Sequence, residues 1–277
     1  MTIENAEILF WLALSCWALG FLLCLYALVF RRQGPLFGSV ICAALGLIPH
    51  SGGIAVRWIA TGRPPFISLY ELISTSAWFA VLSYLVAQSL WRSARPSAVA
   101  VLPVALLSMG AALTLSAEPN ALTPALKSWW LVIHILFAMI AHGAFAIAFG
   151  AALLFLFRRT NGEGSPETLV PSPDKLDLLG ARCIVFGFIC HTVMVLSGSI
   201  WADKAWGRFW GWDPIEIWSL LTWLIYGLYS HLRLLPHWRG KRAAVYSAGA
   251  FVLVVFSFWG VPHLWKSIHD YTLYSGN

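Results

Sequence analysis

Eight stretches of the chain stay apolar for about twenty residues each, and the polar positions gather between them. The runs cover roughly 8–30, 37–59, 69–91, 97–116, 129–157, 180–200, 214–234 and 243–262. Coiled as helix, a run of that length spans the hydrocarbon core of a bilayer, ~30 Å thick. The pattern predicts an all-α polytopic bundle of about eight transmembrane helices. The first run has neither a basic segment before it nor a small-residue cleavage site after it, so a retained helix is expected. No linker divides the chain, and residues 1–277 are expected to form one integral-membrane domain.

Composition agrees with the pattern. Of 277 residues, 59% are hydrophobic and 11% charged, against about 45–50% and 25% in an ordinary soluble domain. The charges alternate from loop to loop. Arg31, Arg32, Arg92, Arg95, Arg158, Arg159, Lys175, Arg182, Arg233, Arg239, Lys241 and Arg242 fall on one side. Arg57, Arg63, Lys127, Lys204, Arg208 and Lys266 fall on the other. Twelve basic against four acidic residues give +8 on the first side; six against eight give −2 on the second, and together they make the overall +6. The positive-inside rule puts the first side in the cytoplasm and both termini outside. The net charge is thus a matter of topology, with no basic stripe of the kind that binds nucleic acid. The one long polar connection runs from Arg158 to about Leu179 on the cytoplasmic side, through 161–166 and Pro171-Ser172-Pro173, and is expected to be a flexible loop.

Cys16, Cys24, Cys42, Cys183 and Cys190 all lie inside apolar runs, and C-x-x-C is missing. They are expected to be small buried hydrophobes rather than a redox pair.

Tryptophan is the local anomaly. Six of the sixteen Trp (Trp201, Trp206, Trp210, Trp212, Trp218 and Trp223) sit within 201–223, on the outer side between the sixth and seventh helices. An aromatic belt at headgroup depth is one reading. A belt, however, needs one or two Trp per helix end. Gly207 and Gly211 also interleave the rings, which lets flat groups approach the backbone. Asp213, Pro214 and Glu216 occupy N-cap, N1 and N3 of the next helix, a strong helix start. The segment suits a planar apolar ligand with anionic edges, bordered by Lys204 and Arg208; haem is such a ligand.

The run Trp206-Gly207-Arg208-Phe209-Trp210-Gly211-Trp212-Asp213-Pro214-Ile215-Glu216-Ile217-Trp218-Ser219 resembles the tryptophan-rich "WWD" signature of haem-handling cytochrome c assembly proteins. Its continuation, Leu221-Thr222-Trp223 through Tyr226, Tyr229 and His231 to Arg233, is similar to the CcsA/ResC-type component of system II cytochrome c biogenesis. Further matches are Pro65-Phe66-Ile67-Ser68-Leu69-Tyr70-Glu71, Trp129-Trp130 with His134, Gly260-Val261, and His269-Asp270-Tyr271. The chain departs from the family pattern at Ile215, Ile217 and Leu69.

Iron in haem takes neutral imidazole ligands, and eight His are available. His134 lies five residues into the fifth helix, about 7–8 Å from its outer end at 1.5 Å per residue; His269 lies in the outer C-terminal tail. Alone, each reads as an interfacial or solvated residue. The resemblance implies that these two bind haem b externally, beside Trp206, Arg208, Trp210, Trp212, Asp213, Glu216 and Trp218. It also implies that His231, near the inner end of the seventh helix, ligates a second haem in the membrane, with the partner histidine on a ResB/CcsB-like subunit. His142 and His191 lie mid-membrane, read either as histidines bonded across helices or as substitute in-chain ligands. His50, beside Pro49, is expected to be structural at a helix kink, Glu71 to close a capping box with Ser68, and His237 and His263 to be solvated.

The implied function is haem delivery and covalent attachment to the CXXCH motifs of apocytochrome c, as the haem-lyase component of a synthase in a bacterial inner membrane. A CcmC-like module that hands haem to a chaperone is the alternative, and a b-type electron-transfer cytochrome a more distant one. Haem, apocytochrome c, the ResB-like subunit and membrane lipid are the expected partners, with no nucleic acid.

Overall fold

The computed structural model describes residues 3–117, 126–158 and 169–269. All regular structure among them is helical: α1 (Ile3–Phe30), α2 (Gln33–Thr61), α3 (Leu69–Leu90), α4 (Ala98–Ala112), α5 (Trp129–Leu156), α6 (Pro173–Trp206), α7 (Pro214–Leu232), α8 (Lys241–Val255) and the short α9 (Val261–Leu264). The chain is a multi-pass membrane helix bundle. Seven described helical stretches are long and apolar enough to cross a bilayer. The expected eighth, α7, has 19 residues and is not among them, because Glu216, two Trp, two Tyr and His231 dilute its apolar content.

Several expected boundaries shift. The fourth span is displaced rather than shortened: it runs over Arg92–Ala112, a 3₁₀ turn at Arg92–Ser97 leading into α4, against the expected 97–116. The supposed loop to Leu179 is already α6 from Pro173, with proline at the first helical position, where its missing N–H costs nothing. Arg159, the 161–166 stretch and the Asp270-Tyr271 pair lie outside the described residues. Beyond α8 the helix widens into a π turn at Phe256–Gly260 before α9, an irregularity that often marks functional sites.

α1 pairs along α2 and α5 along α6, and α5 also touches α3, α4 and α8, which makes it the central element. Its buried face is rich in small residues, including Ala141, Ala144, Ala148, Ala151 and Ala152. Small residues let helices approach closely in lipid, where burial against a neighbour gains little over burial in acyl chains. Phe145 from this face stacks on Tyr226 of α7 at 3.7 Å. His50 has the structural role expected of it. It is buried beside Trp17, with Nε2 2.9 Å from Ser74 Oγ on α3, and α2 continues through Pro49 as one helix. The five cysteines are free, three of them buried.

The two ends of the bundle differ. At the basic end, Asp177 accepts from Arg233 and from the Gly240 N–H, tying α6 to α7 and α8. The other end gathers the last turn of α2, the starts of α3, α5 and α7, the end of α6, and residues 265–269; it is called the tryptophan end below.

Candidate functional site

Glu71 anchors the tryptophan end. It caps α3 reciprocally with Ser68, as expected, and it is fully buried. Its carboxylate accepts from Arg57 at 3.3 Å, Arg63 at 2.8 Å and the Ile67 N–H at 3.0 Å. Arg57 and Arg63, which read as loop charges in the sequence, are therefore interior ion-pair partners. The segment they hold carries Phe66 and Ile67, which pack with Leu131, Ile135 and Trp201 under the site.

His134 stands on α5 opposite Gly198 of α6. A Cβ at position 198 would lie 2.4 Å from its Nδ1, so only glycine lets the ring come this close. There Nδ1 donates to the Met194 carbonyl at 2.8 Å. A carbonyl only accepts, so the proton is on Nδ1 and Nε2 keeps a bare lone pair.

His269 is held by a different device with the same result. Asp213 begins α7: it accepts from the Ile215 N–H at 3.1 Å, and its own N–H donates to Glu216 at 3.2 Å. The same carboxylate accepts from Ser267 Oγ at 2.6 Å, the Ile268 N–H at 2.9 Å and His269 Nδ1 at 3.0 Å. Asp213 is thus both cap and clamp, joining α7 to the chain beyond α9. Burial raises its pKa, but the hydrogen bonds from His269, Ser267 and Ile268 outweigh that and hold the carboxyl at about 2. As a carboxylate it fixes the His269 proton on Nδ1, again leaving Nε2 bare. Backbone carbonyls and carboxylates orient metal-ligating histidines in this way.

Both rings line one cavity of about 160 Å³, together with Trp201, Trp210 and Glu216. Trp210 Nε1 is buried there without a hydrogen-bond partner among the described residues. Trp206 meets the His269 ring edge-on at 4.8 Å, and Trp201 packs against Trp206 at 4.7 Å. Glu216 accepts from the Gly211 N–H at 2.7 Å and so shapes the α6–α7 loop. That loop begins at Gly207, whose φ of +72° ends α6 in the left-handed region.

The rest of the expected set does not share the cavity wall. Trp201 and Trp206 belong to the end of α6 rather than to the loop, and the six tryptophans do not form one flat surface. Trp212 is 67% exposed with a φ of +57°. Arg208 is exposed and folds over Gly211. Trp218 packs on Phe256 and Trp265, and Trp223 donates to Thr192 Oγ1 at 2.9 Å. His231 sits at the far end of α7, exposed, its Nδ1 donating to the Gly227 carbonyl at 2.8 Å. His237 and His263 are exposed, as expected. Sequence reasoning missed Gly198, Met194 and Ser267. Of these only Gly198, a small residue flanked by serines inside a span, carried any signal.

The geometry defines a multi-pass membrane protein in which two imidazoles with free Nε2 atoms and two tryptophans surround a cavity at one end of the bundle. Comparison with known proteins gives the class a name. Residues 66–269, from the loop before α3 to the second site histidine, match the model of the cytochrome c assembly protein family. The chain is 34% identical over 251 residues to the cytochrome c biogenesis protein CcsA of Prochlorococcus marinus strain NATL1A, covering 79% of each. It is 33% identical to the CcsA protein of Chlamydomonas reinhardtii, over 80% of this chain and 65% of that one. With the CcsA protein of Gloeobacter violaceus the identity is 31%, over 85% and 86%. Its fold is similar to that of cytochrome c heme lyase CcmF, with a TM-score of 0.71 at 15% identity over 94% of this chain. There the chain spans about half the length of its counterpart, 49%. The chain belongs to the cytochrome c assembly protein family, as a CcsA-type cytochrome c biogenesis protein.

Proposed function

We propose that the chain delivers haem b across the membrane and presents it for covalent attachment to apocytochrome c. The observation that carries this reading is the pair His134 and His269. Each has Nδ1 tied to an acceptor and Nε2 free, and both line one cavity. Neutral imidazoles in that state are the donors a six-coordinate haem iron takes. Trp201 and Trp210 give the cavity flat apolar walls for a macrocycle. The buried Nε1 of Trp210 and the nearby guanidinium of Arg208 are donors suited to the carboxylate edge of the same ligand.

On this reading the tryptophan end and both termini face the periplasm of a bacterial inner membrane, and the basic loops face the cytoplasm, as the positive-inside rule requires. An apocytochrome CXXCH segment docks at the cavity mouth. Each cysteine thiol adds across a vinyl C=C, forming a C–S bond at one carbon and leaving its proton on the other, so no oxidant is consumed. The CXXCH histidine then replaces one of the two chain ligands on the iron. This chain contributes mainly proximity and orientation. His231, exposed at the cytoplasmic end of α7, takes haem at the entry side with a second histidine from a ResB/CcsB-like membrane subunit.

The test is the visible spectrum of the purified protein. His134→Ala and His269→Ala should each lower haem retention and shift the low-spin bands. If both single variants keep the wild-type haem content and spectrum, the ligand assignment is wrong. Co-expression with a ResB-like partner and an apocytochrome should yield covalent haem. Haem that is bound but never attached would instead mark a hand-over module of the CcmC kind.

A further inference from the structure

The cavity does not stop at His134. Eight residues further along α5, about 12 Å deeper at 1.5 Å per residue, His142 lines the same wall, and His191 reaches it from α6. The function proposed above uses neither. His191 donates through Nε2 to the Ser219 carbonyl at 3.0 Å, so its proton is placed and Nδ1 is a bare lone pair. That Nδ1 is buried and has no hydrogen-bond partner among the described residues. His142 makes no hydrogen bond among the described residues, and its ring stands edge-on to Phe258 at 5.3 Å. Phe258 belongs to the π turn that interrupts the helix beyond α8, so the backbone of that helix is irregular beside this histidine.

A membrane interior penalises an imidazole without a partner, because a buried polar atom left unsatisfied keeps its full desolvation cost. Where this fold uses a histidine structurally it supplies at least one bond: His50 Nε2 lies 2.9 Å from Ser74 Oγ, although its Nδ1, like that of His191, is buried with no partner among the described residues. His142 is left open instead, facing a cavity whose upper level already holds two imidazoles in the ligand state. We infer that His142 is a second, deeper axial position for the iron of the porphyrin this cavity takes, with His191 Nδ1 as the facing donor. The inference rests on the haem reading of the upper level. One porphyrin alternates between the two levels. The exchange replaces the two neutral imidazoles of His134 and His269 on iron by those of His142 and His191, two Fe–N bonds for two, with no change in proton or electron count.

The test uses the full-length chain purified in detergent and titrated with ferric protoporphyrin IX, in a His231→Ala background that removes the remote donor. Adding His134→Ala and His269→Ala should leave haem bound with a shifted low-spin spectrum. Adding His142→Ala should then abolish binding, whereas His142→Met should restore it with a different band, because thioether sulfur also ligates haem iron. Complete loss of haem on removing the upper pair alone overturns the deeper site. So does haem content indifferent to His142. An unchanged spectrum on removing the upper pair would instead refute the upper-level assignment, whatever His142 does. Folding is followed by thermal melts. His142→Leu should melt at or above the wild-type temperature, because it removes an unpartnered polar ring; a lower melting temperature would make His142 structural and sink the proposal.

Discussion

At the scale of single residues, Gly198 is the position on which His134 depends most. Its missing side chain is what allows the ring to reach the Met194 carbonyl. Gly198→Ala should therefore mimic loss of the ligand while leaving the imidazole in the chain: haem per purified protein should fall, and the low-spin bands should weaken. Gly180→Ala on the same helix is the matched control, since a Cβ there meets its nearest neighbours at 4.0 Å, an ordinary contact. Equal haem loss in both variants would mean that α6 tolerates no added methyl, and Gly198 would have no particular tie to His134. Asp213→Asn separates the two duties of that residue. Asparagine is as good an N-cap as aspartate, so α7 should persist, but an amide cannot hold the His269 proton as a carboxylate does. The expected outcome is near-normal thermal stability with weakened haem binding, read from a melt and a spectrum on the same sample. Much of this scale was legible in the sequence. Asp213 and Glu216 stand out as a local helix start, whereas His134 and His269 read alone as interfacial or solvated and are singled out by the family resemblance. Gly198, Met194 and Ser267 were not, since their contribution is space, a carbonyl and a hydroxyl, which acquire meaning only through the partner that meets them.

At the scale of elements, the same contrast explains which boundaries were readable. Hydropathy reports the apolar stretch, not the helix. The sixth span was expected at 180–200, yet α6 runs from Pro173 to Trp206. At its start the charged Asp174, Lys175 and Asp177 hide the helix from a hydropathy reading. Asp177 is nonetheless tied down by Arg233 and Gly240, contacts that only the folded bundle supplies. At its end, Trp201 and Trp206 looked like loop residues but complete the helix that faces His269. The capping boxes of α3 and α7 were both visible in advance, because a cap is a local matter of two side chains and two N–H groups. What the α3 box could not reveal is its second layer: Glu71 also pairs with both Arg57 and Arg63 in the interior. Removing one member of a buried pair strands the others, at a cost of about 3–5 kcal/mol. Glu71→Ala should thus lower the melting temperature sharply and, through Phe66 and Ile67, loosen the floor under the cavity. Arg233→Ala breaks a partly exposed pair and should cost much less. If thermal melts gave the two variants the same loss, the interior cluster would not be the support argued here.

At the scale of the whole molecule, the arrangement separates chemistry from charge. His134, His269, the tryptophans of the α6–α7 segment and the acidic clamp collect at one end of the bundle, while most of the Arg and Lys residues, with His237 among them, collect in the loops at the other. Among the proposed ligands His231 stands apart. It lies 18 positions after Asp213 on the same helix, about 27 Å away at 1.5 Å per residue, and its ring is exposed rather than directed into the cavity. A single histidine on an outer surface, with Nδ1 already bonded to Gly227, offers iron one ligand and little shelter. Membrane-embedded ionisable side chains are costly unless they meet a partner or a polar path, and α7 is the helix least able to face lipid on composition alone. The surface around His231 is therefore expected to be completed by another membrane subunit. From this follows a difference that one chain cannot show by itself. In the isolated protein His231→Ala should leave haem content almost unchanged, because the cavity at the tryptophan end supplies the ligands. In a complex co-purified with a ResB-like subunit the same substitution should remove one of two haem populations, seen as a loss of amplitude in the reduced-minus-oxidised spectrum. An effect of equal size with and without the partner would show that His231 ligates iron unaided, and α7 would then need no neighbour to explain its polar end.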